Sequence, residues 1–210
     1  MHAVDHVFVF CERSAPEQQR LAEAGLAVGL RREHGGQGTA NVCFGFADAY
    51  LELLWLADEA AARDPMVKPL GLHERARWRE TGASPFGVCL RPATPGARPP
   101  FVSWPYAPRY LPPGLTIEMA CNSGVVGEPM LFAVDRPFVP FAVPHPLAAR
   151  RLAEVVLTVP DLAPMSSLRE LSVPGLRVVE GAAHGCELVF ADARGERLDL
   201  RPTLPLVLVR

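Results

Sequence analysis

Hydrophobic and polar residues alternate near the start of the chain with the period of a β-strand that buries at least one face. In residues 4–10, His6, Phe8 and Phe10 share one face, whereas Val7 and Val9 share the other. This alternation predicts a first strand, and it puts an ionisable histidine in line with two large apolar side chains.

A short helix is predicted directly after this strand. Ser14 and Glu17 have the spacing of a capping box, with Ser14 as the N-cap and Glu17 reaching back. The helix is expected to run to about Ala24 and to stop at Gly25. Three more strands follow, and the Gly-rich residues 34–41 between the first two of them predict a turn. These three strands are predicted at residues 26–32, 42–46 and 50–56.

The rest of the chain divides into a polar segment and two further groups of strands. Residues 58–80 are rich in Ala and Arg, which predicts one or two helices, and Ser84-Pro85 ends them. Beyond this segment, strands are predicted at residues 86–91, 116–120, 130–134, 155–159, 176–180, 187–191 and 197–201, and a helix at about 166–171. The C-terminal tail therefore repeats the order strand, helix, strand, strand, strand as a topological similarity.

Glu52 is the most informative residue, because it lies inside the apolar run of residues 50–56. A carboxylate taken out of water without a partner is costly, so it has either a function or a buried structural partner. His6 is a second ionisable group among apolar neighbours. Together the two residues predict a polar site in an apolar sheet, either a divalent metal site or an acid–base pair.

Composition excludes several classes of function. The 210 residues carry a net charge of −2 and no clustered basic face, which argues against a nucleic-acid partner. The short basic segment at residues 75–79 has the spacing of a solvated helix face, with anion binding as the alternative. The five cysteines are widely spaced and form no Cys-x-x-Cys pair, so we expect reduced thiols in a cytoplasmic protein. No signal peptide or membrane span is expected.

Three motifs in the first 56 residues resemble those of the glyoxalase-like branch of the vicinal oxygen chelate superfamily. They are Asp5-His6, the segment His34-x-Gly36-x-Gly38-Thr39-x-Asn41, and Tyr50-Leu51-Glu52-Leu53. The resemblance implies an α+β fold of repeated βαβββ modules, in which curved mixed sheets surround a cupped site. It implies a single domain over residues 1–210, with module one at about 4–57, a helical linker at about 58–83, and a second module with a C-terminal βαβββ-like part at about 84–210.

The resemblance also implies a metal site. A His on the first strand and a Glu on the fourth strand of one module bind a divalent metal, and the partner module supplies two further ligands. By position, His6 and Glu52 match the ligands of module one, and Fe, Mn, Zn or Ni are the implied metals. The sequence departs from this pattern in its second half, because residues 86–91 contain no His. The C-terminal strand that starts at Leu152 has Glu154 near the place that corresponds to His6, and Glu118, Glu128 and Glu187 are alternatives for the fourth-strand carboxylate.

Other residues are candidates for binding a small-molecule substrate. His34 and Asn41 are placed either in a structural turn or at the mouth of the cup. Arg109, in the aromatic and Pro-rich segment 104–110, is placed either in a packed loop or as the anchor of a carboxylate. His73 and Trp78 are expected on the linker surface or in a lid, and His145 in a loop that is able to reach a metal.

Three hypotheses for the function follow. The first is a metal-dependent lyase, isomerase or dioxygenase that uses His6 and Glu52, with Glu52 as a general base where no metal is bound. The second is a metal-free binding or resistance protein with an aromatic-lined cup. The third is a degenerate module in which an internal Arg pairs with Glu52 and side chains fill the cup. Modules of this kind often pair across subunits, so a homodimer is compatible with all three hypotheses, and a monomer is equally compatible because one chain holds several modules.

Overall fold

The computed structural model describes residues 1–141, 143–161, 166–169 and 171–210. Thirteen strands and five short α-helices are present in these residues. The strands are β1 (His2–Phe10), β2 (Leu30–His34), β3 (Thr39–Gly45), β4 (Tyr50–Leu56), β5 (Phe86–Pro92), β6 (Ser103–Tyr106), β7 (Ile117–Ala120), β8 (Met130–Ala133), β9 (Leu152–Val159), β10 (Leu176–Glu180), β11 (Gly185–Phe190), β12 (Arg197–Asp199) and β13 (Leu206–Val209). The helices are α1 (Gln18–Glu23), α2 (Glu59–Ala62), α3 (Leu72–Ala76), α4 (Trp78–Thr81) and α5 (Ser166–Arg169).

Two copies of one strand pattern lie side by side in an eight-stranded sheet of order β2-β3-β4-β1-β5-β8-β7-β6. In module one β1 pairs parallel to β4, and in module two β5 pairs parallel to β8. The modules meet where β1 and β5 pair antiparallel. The α+β class with mixed sheets is therefore confirmed, and both modules of the sheet come from a single chain.

Module one agrees closely with the prediction, and the strand of residues 50–56 is reproduced without change. Two boundaries differ. The second strand begins at Leu30, not at residue 26, and the third begins at Thr39. The predicted turn over 34–41 is therefore confined to residues 35–38, where Gly36 and Gly38 have positive φ angles. As a result, His34 and Asn41 lie on strands and not in a turn.

The predicted capping box is wrong. Helix α1 begins at Gln18, its N-cap is Glu17, and no side chain caps it. Ser14 has a φ of 67°, in the left-handed region, so it belongs to the preceding turn. The Glu17 carboxylate instead accepts a hydrogen bond from the backbone N–H of Glu12, at 3.1 Å. The predicted stop at Gly25 is confirmed, since that residue has a φ of 86°.

Module two keeps the four strands but contains no helix in its described residues. An irregular Pro-rich segment, residues 93–102, connects β5 to β6 where module one has α1. Strand β6 was not predicted, because Pro105 interrupts its apolar pattern. The sheet tolerates this proline because β6 is an edge strand, where one side of the backbone has no neighbour to pair with.

The C-terminal residues form a separate five-stranded sheet of order β10-β9-β11-β13-β12. The predicted order of strand, helix and three strands is present, but the pairing differs from module one. Strand β9 pairs parallel to β10, the next strand in sequence, and β13 is an additional strand that was not predicted. The predicted helix is described only as Ser166–Arg169, and residue 170 lies outside the described residues.

The two faces of the large sheet have different partners. Val7, Val9, Leu51 and Leu53 pack in one hydrophobic cluster with residues of the C-terminal sheet, among them Leu157. The opposite face carries a second cluster, which contains Phe8, Phe10, Leu54, Cys89, Met119, Met130 and Phe132. The C-terminal sheet therefore covers the back of the large sheet and leaves the other face available for a site.

The linker consists of four short helical pieces: α2, a 3₁₀ helix at Lys68–Leu70, α3 and α4. Arg75 of α3 is fully buried, at 0% exposure, which corrects the prediction of a solvated face for that residue. Arg77 and Arg79 of the same basic segment do reach solvent and pair with Glu80 and Glu12. No helix in the described part of the chain has both the length and the apolar character needed to cross a bilayer.

Glu128 gives a testable pH dependence. Its side chain is 1% exposed, and neither carboxylate oxygen has a hydrogen-bond partner among the described residues. Burial raises the pKa of Glu128 to about 7, although nearby Arg75 lowers it in part. Because the folded-state pKa lies above the unfolded value, the folded protein binds this proton more tightly, and the stabilisation is lost as pH rises through about 7.

We therefore expect Glu128→Gln to leave stability at pH 5 nearly unchanged and to raise it at pH 8 by about 1 kcal/mol, or about 2–4 °C in Tm. Thermal melts at both pH values test this. Glu180→Gln, at an exposed carboxylate, is the control and should not change the difference between the two pH values. A variant that melts at or below the wild-type temperature at pH 8 would contradict the prediction.

Candidate functional site

A cavity of about 430 Å³ lies on the face of the large sheet that the C-terminal sheet leaves open. Both modules line it. Module one contributes the polar side chains, and module two contributes mainly apolar ones. The residues used below are Asp5, His6, Phe8, Arg32, His34, Gln37, Asn41, Tyr50, Glu52, Tyr110, Met119, Met130, Phe132, Arg136, Phe138 and Phe141.

Glu52 is held on the cavity wall by an amide and not by an arginine. It is 5% exposed, and Oε1 accepts a hydrogen bond from Asn41 Nδ2 at 2.6 Å. Strand pairing explains the contact, because Cys43 lies opposite Glu52 and Asn41 is two residues away on the same face of β3. The second oxygen, Oε2, lies 3.6 Å from His6 Nε2. That distance exceeds a hydrogen bond and leaves this oxygen available to a ligand.

A β-bulge places His6 and Asp5 together on the cavity side. Val4 pairs with Leu90 and His6 with Cys89, so Asp5 is an extra residue between two paired positions. His6 Nδ1 lies 2.8 Å from Asp5 Oδ1, and the imidazole stacks on the Tyr50 ring at 4.3 Å. The ring is therefore fixed with Nε2 towards Glu52.

His6 and, to a smaller extent, two arginines keep Asp5 ionised. Arg91 Nη1 and Arg136 Nη2 lie 3.7 and 3.8 Å from its carboxylate oxygens. Burial alone would raise the pKa of Asp5, but the hydrogen bond from His6 and the charges of His6, Arg136 and Arg91 lower it. An ionised Asp5 accepts the Nδ1–H of His6, so in the neutral ring Nε2 carries the lone pair.

His34 extends the polar network beyond Asn41. Its Nδ1 lies 2.8 Å from Thr39 Oγ1, which also accepts a hydrogen bond from Gln37 Nε2. Its Nε2 lies 3.4 Å from Asn41 Nδ2. Burial lowers the pKa of His34, so the ring is neutral, and one tautomer satisfies every contact: Nδ1–H donates to Thr39 and Nε2 accepts from Asn41. Asn41 Oδ1 then remains a buried acceptor with no partner among the described residues.

Aromatic and thioether side chains form the rest of the cavity. Met119, Met130 and Phe132 of module two face Phe8 of module one. The segment after β8 crosses the cavity and brings Arg136, Phe138 and Phe141 into the lining. Phe141 packs on Tyr50 with ring centroids 5.2 Å apart, and it fits against Gly29 and Gly45 so closely that a Cβ on either glycine would lie within 2.6 Å of the ring.

The structure brings together four of the five predicted site residues: His6, His34, Asn41 and Glu52 all line the cavity. It does not bring Arg109 there. That side chain is 67% exposed and its guanidinium lies 3.6 Å from Asp64, outside the lining residues. The neighbouring Tyr110 lines the cavity instead and packs on the His34 ring at 4.6 Å.

Other candidate residues lie elsewhere. His73 contacts Arg63 and Glu59 on the linker, and His145 contacts the carbonyl of Gly45. The alternative carboxylates Glu118, Glu154 and Glu187 contact Ser103, Arg177 and Arg197 respectively, and none of them lines the cavity.

Four residues of the cavity lining were not predicted from the sequence: Asp5, Arg32, Tyr50 and Arg136. Asp5 was quoted only as a neighbour of His6, because strict alternation places it on the opposite face and only the bulge reverses this. Tyr50 lies two residues before Glu52 on β4 and shares its face, so the position of Tyr50 could have been predicted from the sequence. Arg32 and His34 are two residues apart on β2, so their side chains lie on the same face of the strand. The predicted strand ended at residue 32, so it did not include His34.

The donor set does not fit the four-ligand metal centre that the resemblance implies. His6 and Glu52 could supply two ligands, but the cavity-side residues of β5 and β8 are Cys89, Met130 and Phe132. Among the described residues the one group of three potential ligands is Asp5, His6 and Cys89, within 4.8 Å of one another, without Glu52. Burial raises the pKa of the Cys89 thiol, and Asp5 already has two arginines beside it, so this group favours a hydrogen-bonded cluster over a divalent cation.

Comparisons with known proteins agree with this architecture. Residues 4–98 match the family model described as a glyoxalase-like domain. A hypothetical protein from Staphylococcus aureus has 9% sequence identity and a TM-score of 0.59, with 99% of this chain and 98% of that chain covered. A methylmalonyl-CoA epimerase in complex with methylmalonyl-CoA and NH4+ has 17% identity and a TM-score of 0.41, with 67% and 99% covered. No curated protein matches the chain.

The family match confirms the predicted resemblance to a glyoxalase-like domain over residues 4–98, which is less than half of the chain, and the paired four-stranded modules agree with it. The staphylococcal protein has a similar fold over nearly the whole length of this chain. At these identities the structural likeness concerns the fold alone, so the function has to be argued from the cavity.

Proposed function

We propose that the chain binds a small organic molecule in the cavity and moves a proton on it, as an isomerase or lyase, with Glu52 as the base and His6 as its partner. One observation carries this proposal. The Glu52 carboxylate is almost fully buried on the cavity wall, is held by one amide, and leaves one oxygen facing an imidazole nitrogen across 3.6 Å. A purely structural carboxylate would have its charge compensated by a close cation.

The hydrogen-bond network determines which atoms are available for chemistry. Asn41 holds Oε1 of Glu52, so Oε2 is the oxygen that takes a proton from a C–H bond next to a substrate carbonyl. The electron pair of that bond moves onto the carbonyl as an enolate. The proton is returned from Oε2, or through His6 Nε2, at the same or the neighbouring atom. The ionised Asp5 stabilises the imidazolium that forms when His6 holds the proton.

Both proton carriers lie on the same wall of the cavity, and this restricts the reaction. Glu52 and His6 are on adjacent parallel strands and project from the same face of the sheet. A proton removed and returned by this pair therefore stays on one face of the substrate. This favours transfer between neighbouring atoms, as in enolisation or double-bond migration, over inversion at a single carbon.

The metal content of the purified protein tests the metal-dependent form of the first hypothesis. A divalent metal bound there would polarise the substrate carbonyl, but the donor set described above does not favour one. We expect purified wild type, after incubation with Fe, Mn, Zn or Ni and desalting, to hold well below one metal per chain, and Glu52→Gln to hold the same amount. Near-stoichiometric metal that falls in the variant would overturn the metal-free mechanism.

A binding or resistance protein is the second candidate, and the aromatic and methionine lining of the cavity favours it. The third hypothesis has less support, since Glu52 contacts Asn41 and His6 and the cavity is open. A screen of small organic acids and ketones by thermal shift would identify ligands. Incubation of each ligand with the protein in D2O, followed by NMR, tests for exchange of carbon-bound hydrogen. Exchange supports the enzyme, whereas tight binding without exchange supports the binding protein.

A further inference from the structure

The functional groups of the cavity follow the order of the strands across the sheet. Arg32 is on β2, Asn41 on β3, Glu52 on β4 and His6 on β1, and all four line the cavity. Adjacent strands are about 4.8 Å apart. Arg32 and Asn41 lie at the level of Leu54, Glu52 lies two residues further along β4, and His6 lies opposite Tyr50, two residues beyond Glu52. A ligand that lies diagonally across the strands meets these groups in this sequence.

Arg32 is a basic residue of the cavity lining. Leu30, Arg32 and His34 alternate on the cavity side of β2, and Arg32 lies opposite Asn41 in the pairing with β3. No carboxylate lies within ion-pair distance of Arg32 among the described residues. Arg136, the other arginine of the lining, already lies 3.8 Å from Asp5. Arg32 is therefore the cation that remains available to an anionic group of a ligand.

Asn41 adds a second requirement for the ligand, which is a hydrogen-bond donor. Its amide N–H groups are used by Glu52 and His34, whereas Oδ1 is buried and has no partner among the described residues. A buried acceptor without a partner is costly, so a ligand that donates a hydrogen bond there gains affinity. Because Asn41 lies opposite Arg32 on the neighbouring strand, the donor is expected next to the anionic group.

The opposite half of the cavity is apolar. Beyond His6, strands β7 and β8 present Met119, Met130 and Phe132 to the cavity, whereas the charged residues that follow β8 in the lining are Asp135 and Arg136. The adaptable thioethers suit a flexible alkyl or aryl tail. The cavity thus combines, in that order, one cation without an ion pair among the described residues, one acceptor without a partner, one acid–base pair and one apolar end.

We propose that the ligands of the cavity are 2-hydroxy carboxylic acids with an apolar tail. Arg32 binds the carboxylate, Asn41 Oδ1 accepts the hydroxyl hydrogen, the carbon-bound hydrogen lies over Glu52 and His6, and the tail packs on module two. The position of the reacting carbon rests on the proposed function. The binding of the carboxylate by Arg32 does not depend on it.

Calorimetric titration with 2-hydroxyoctanoate, its methyl ester and octanoate tests the assignment. We expect wild type to bind the hydroxy acid at least about 10-fold more tightly than the ester, and more tightly than octanoate. Arg32→Gln should lose the preference for acid over ester. Arg31→Gln is the matched control, because Arg31 is the preceding residue on the opposite face, bonded to Gln18, and this variant should keep the preference.

Several outcomes would overturn the inference: equal binding of acid and ester by wild type, no binding of either, or loss of the preference in Arg136→Gln but not in Arg32→Gln. Arg32 is exposed on an edge strand, so its substitution is not expected to unfold the chain, and a thermal melt verifies this. Arg32-dependent binding without exchange in D2O would support the ligand class while refuting the proposed chemistry. Exchange of carbon-bound hydrogen on other ligands, but not on 2-hydroxy acids, would support the proposed chemistry and refute the ligand class.

Discussion

Replacing Arg75 with methionine is expected to lower the free energy of unfolding by about 3–5 kcal/mol, the largest stability effect predicted for this chain. The guanidinium is fully buried and donates to five backbone carbonyls, all within 3.3 Å. These carbonyls belong to Ser84, Ser123, Val125, Val126 and Glu128. Methionine fills much of the same volume but donates nothing, so these carbonyls would be left buried without their donor.

Urea denaturation at pH 7, followed by circular dichroism, measures the effect. Arg77→Met is the matched control, since Arg77 lies two residues away but is exposed and pairs only with Glu80, and it should change stability by less than about 0.5 kcal/mol. Arg75→Lys should recover part of the loss, because an ammonium donates to fewer carbonyls. A loss below about 1 kcal/mol for Arg75→Met would contradict the role assigned here.

The burial of Arg75 also shows where reasoning from the sequence reaches its limit. The basic segment 75–79 has the composition of a solvated helix face, and this is correct for Arg77 and Arg79. The carbonyls that Arg75 satisfies lie up to 53 residues further along the chain. Nothing in local composition shows that a later loop folds around one of three similar arginines.

Module one was predictable because its signals are local. Alternation fixed the faces of residues 6–10, and the apolar run of residues 50–56 gave β4 without error. The bulge at Asp5 was not predictable, since it depends on pairing with β5, more than 80 residues away. In the C-terminal sheet the individual strands were located, but long-range pairing determines that β9 lies between β10 and β11.

The candidate site divides in the same way. His6, Asn41 and Glu52 were found because each departs from an apolar strand pattern or belongs to a recognisable motif. Arg109 was selected for its aromatic surroundings, yet the structure places Tyr110 in the cavity and Arg109 outside it. Adjacent residues of a loop point in directions that depend on its packing, so the sequence placed the right segment near the cavity but the wrong side chain.

Glu52→Gln is expected to reduce exchange of a ligand's carbon-bound hydrogen by at least about 100-fold, because the variant has no carboxylate to accept the proton. The amide oxygen of glutamine can still accept the hydrogen bond from Asn41 Nδ2, so the geometry of the site is retained. Binding of the same ligand should therefore change by less than about threefold. This difference between a large loss in rate and a small change in affinity separates a chemical role from a structural one.

The measurement is the rate of deuterium incorporation by NMR, with a ligand identified by thermal shift and with Kd determined by calorimetry on the same samples. Glu33→Gln is the control, since Glu33 is an exposed carboxylate on β2, where it alternates with the cavity-side residues Arg32 and His34. Unchanged exchange in Glu52→Gln would remove Glu52 as the base. Loss of both binding and exchange would assign Glu52 to ligand recognition. A carboxylate with a purely structural role should tolerate replacement by its amide, and the ligand should still bind.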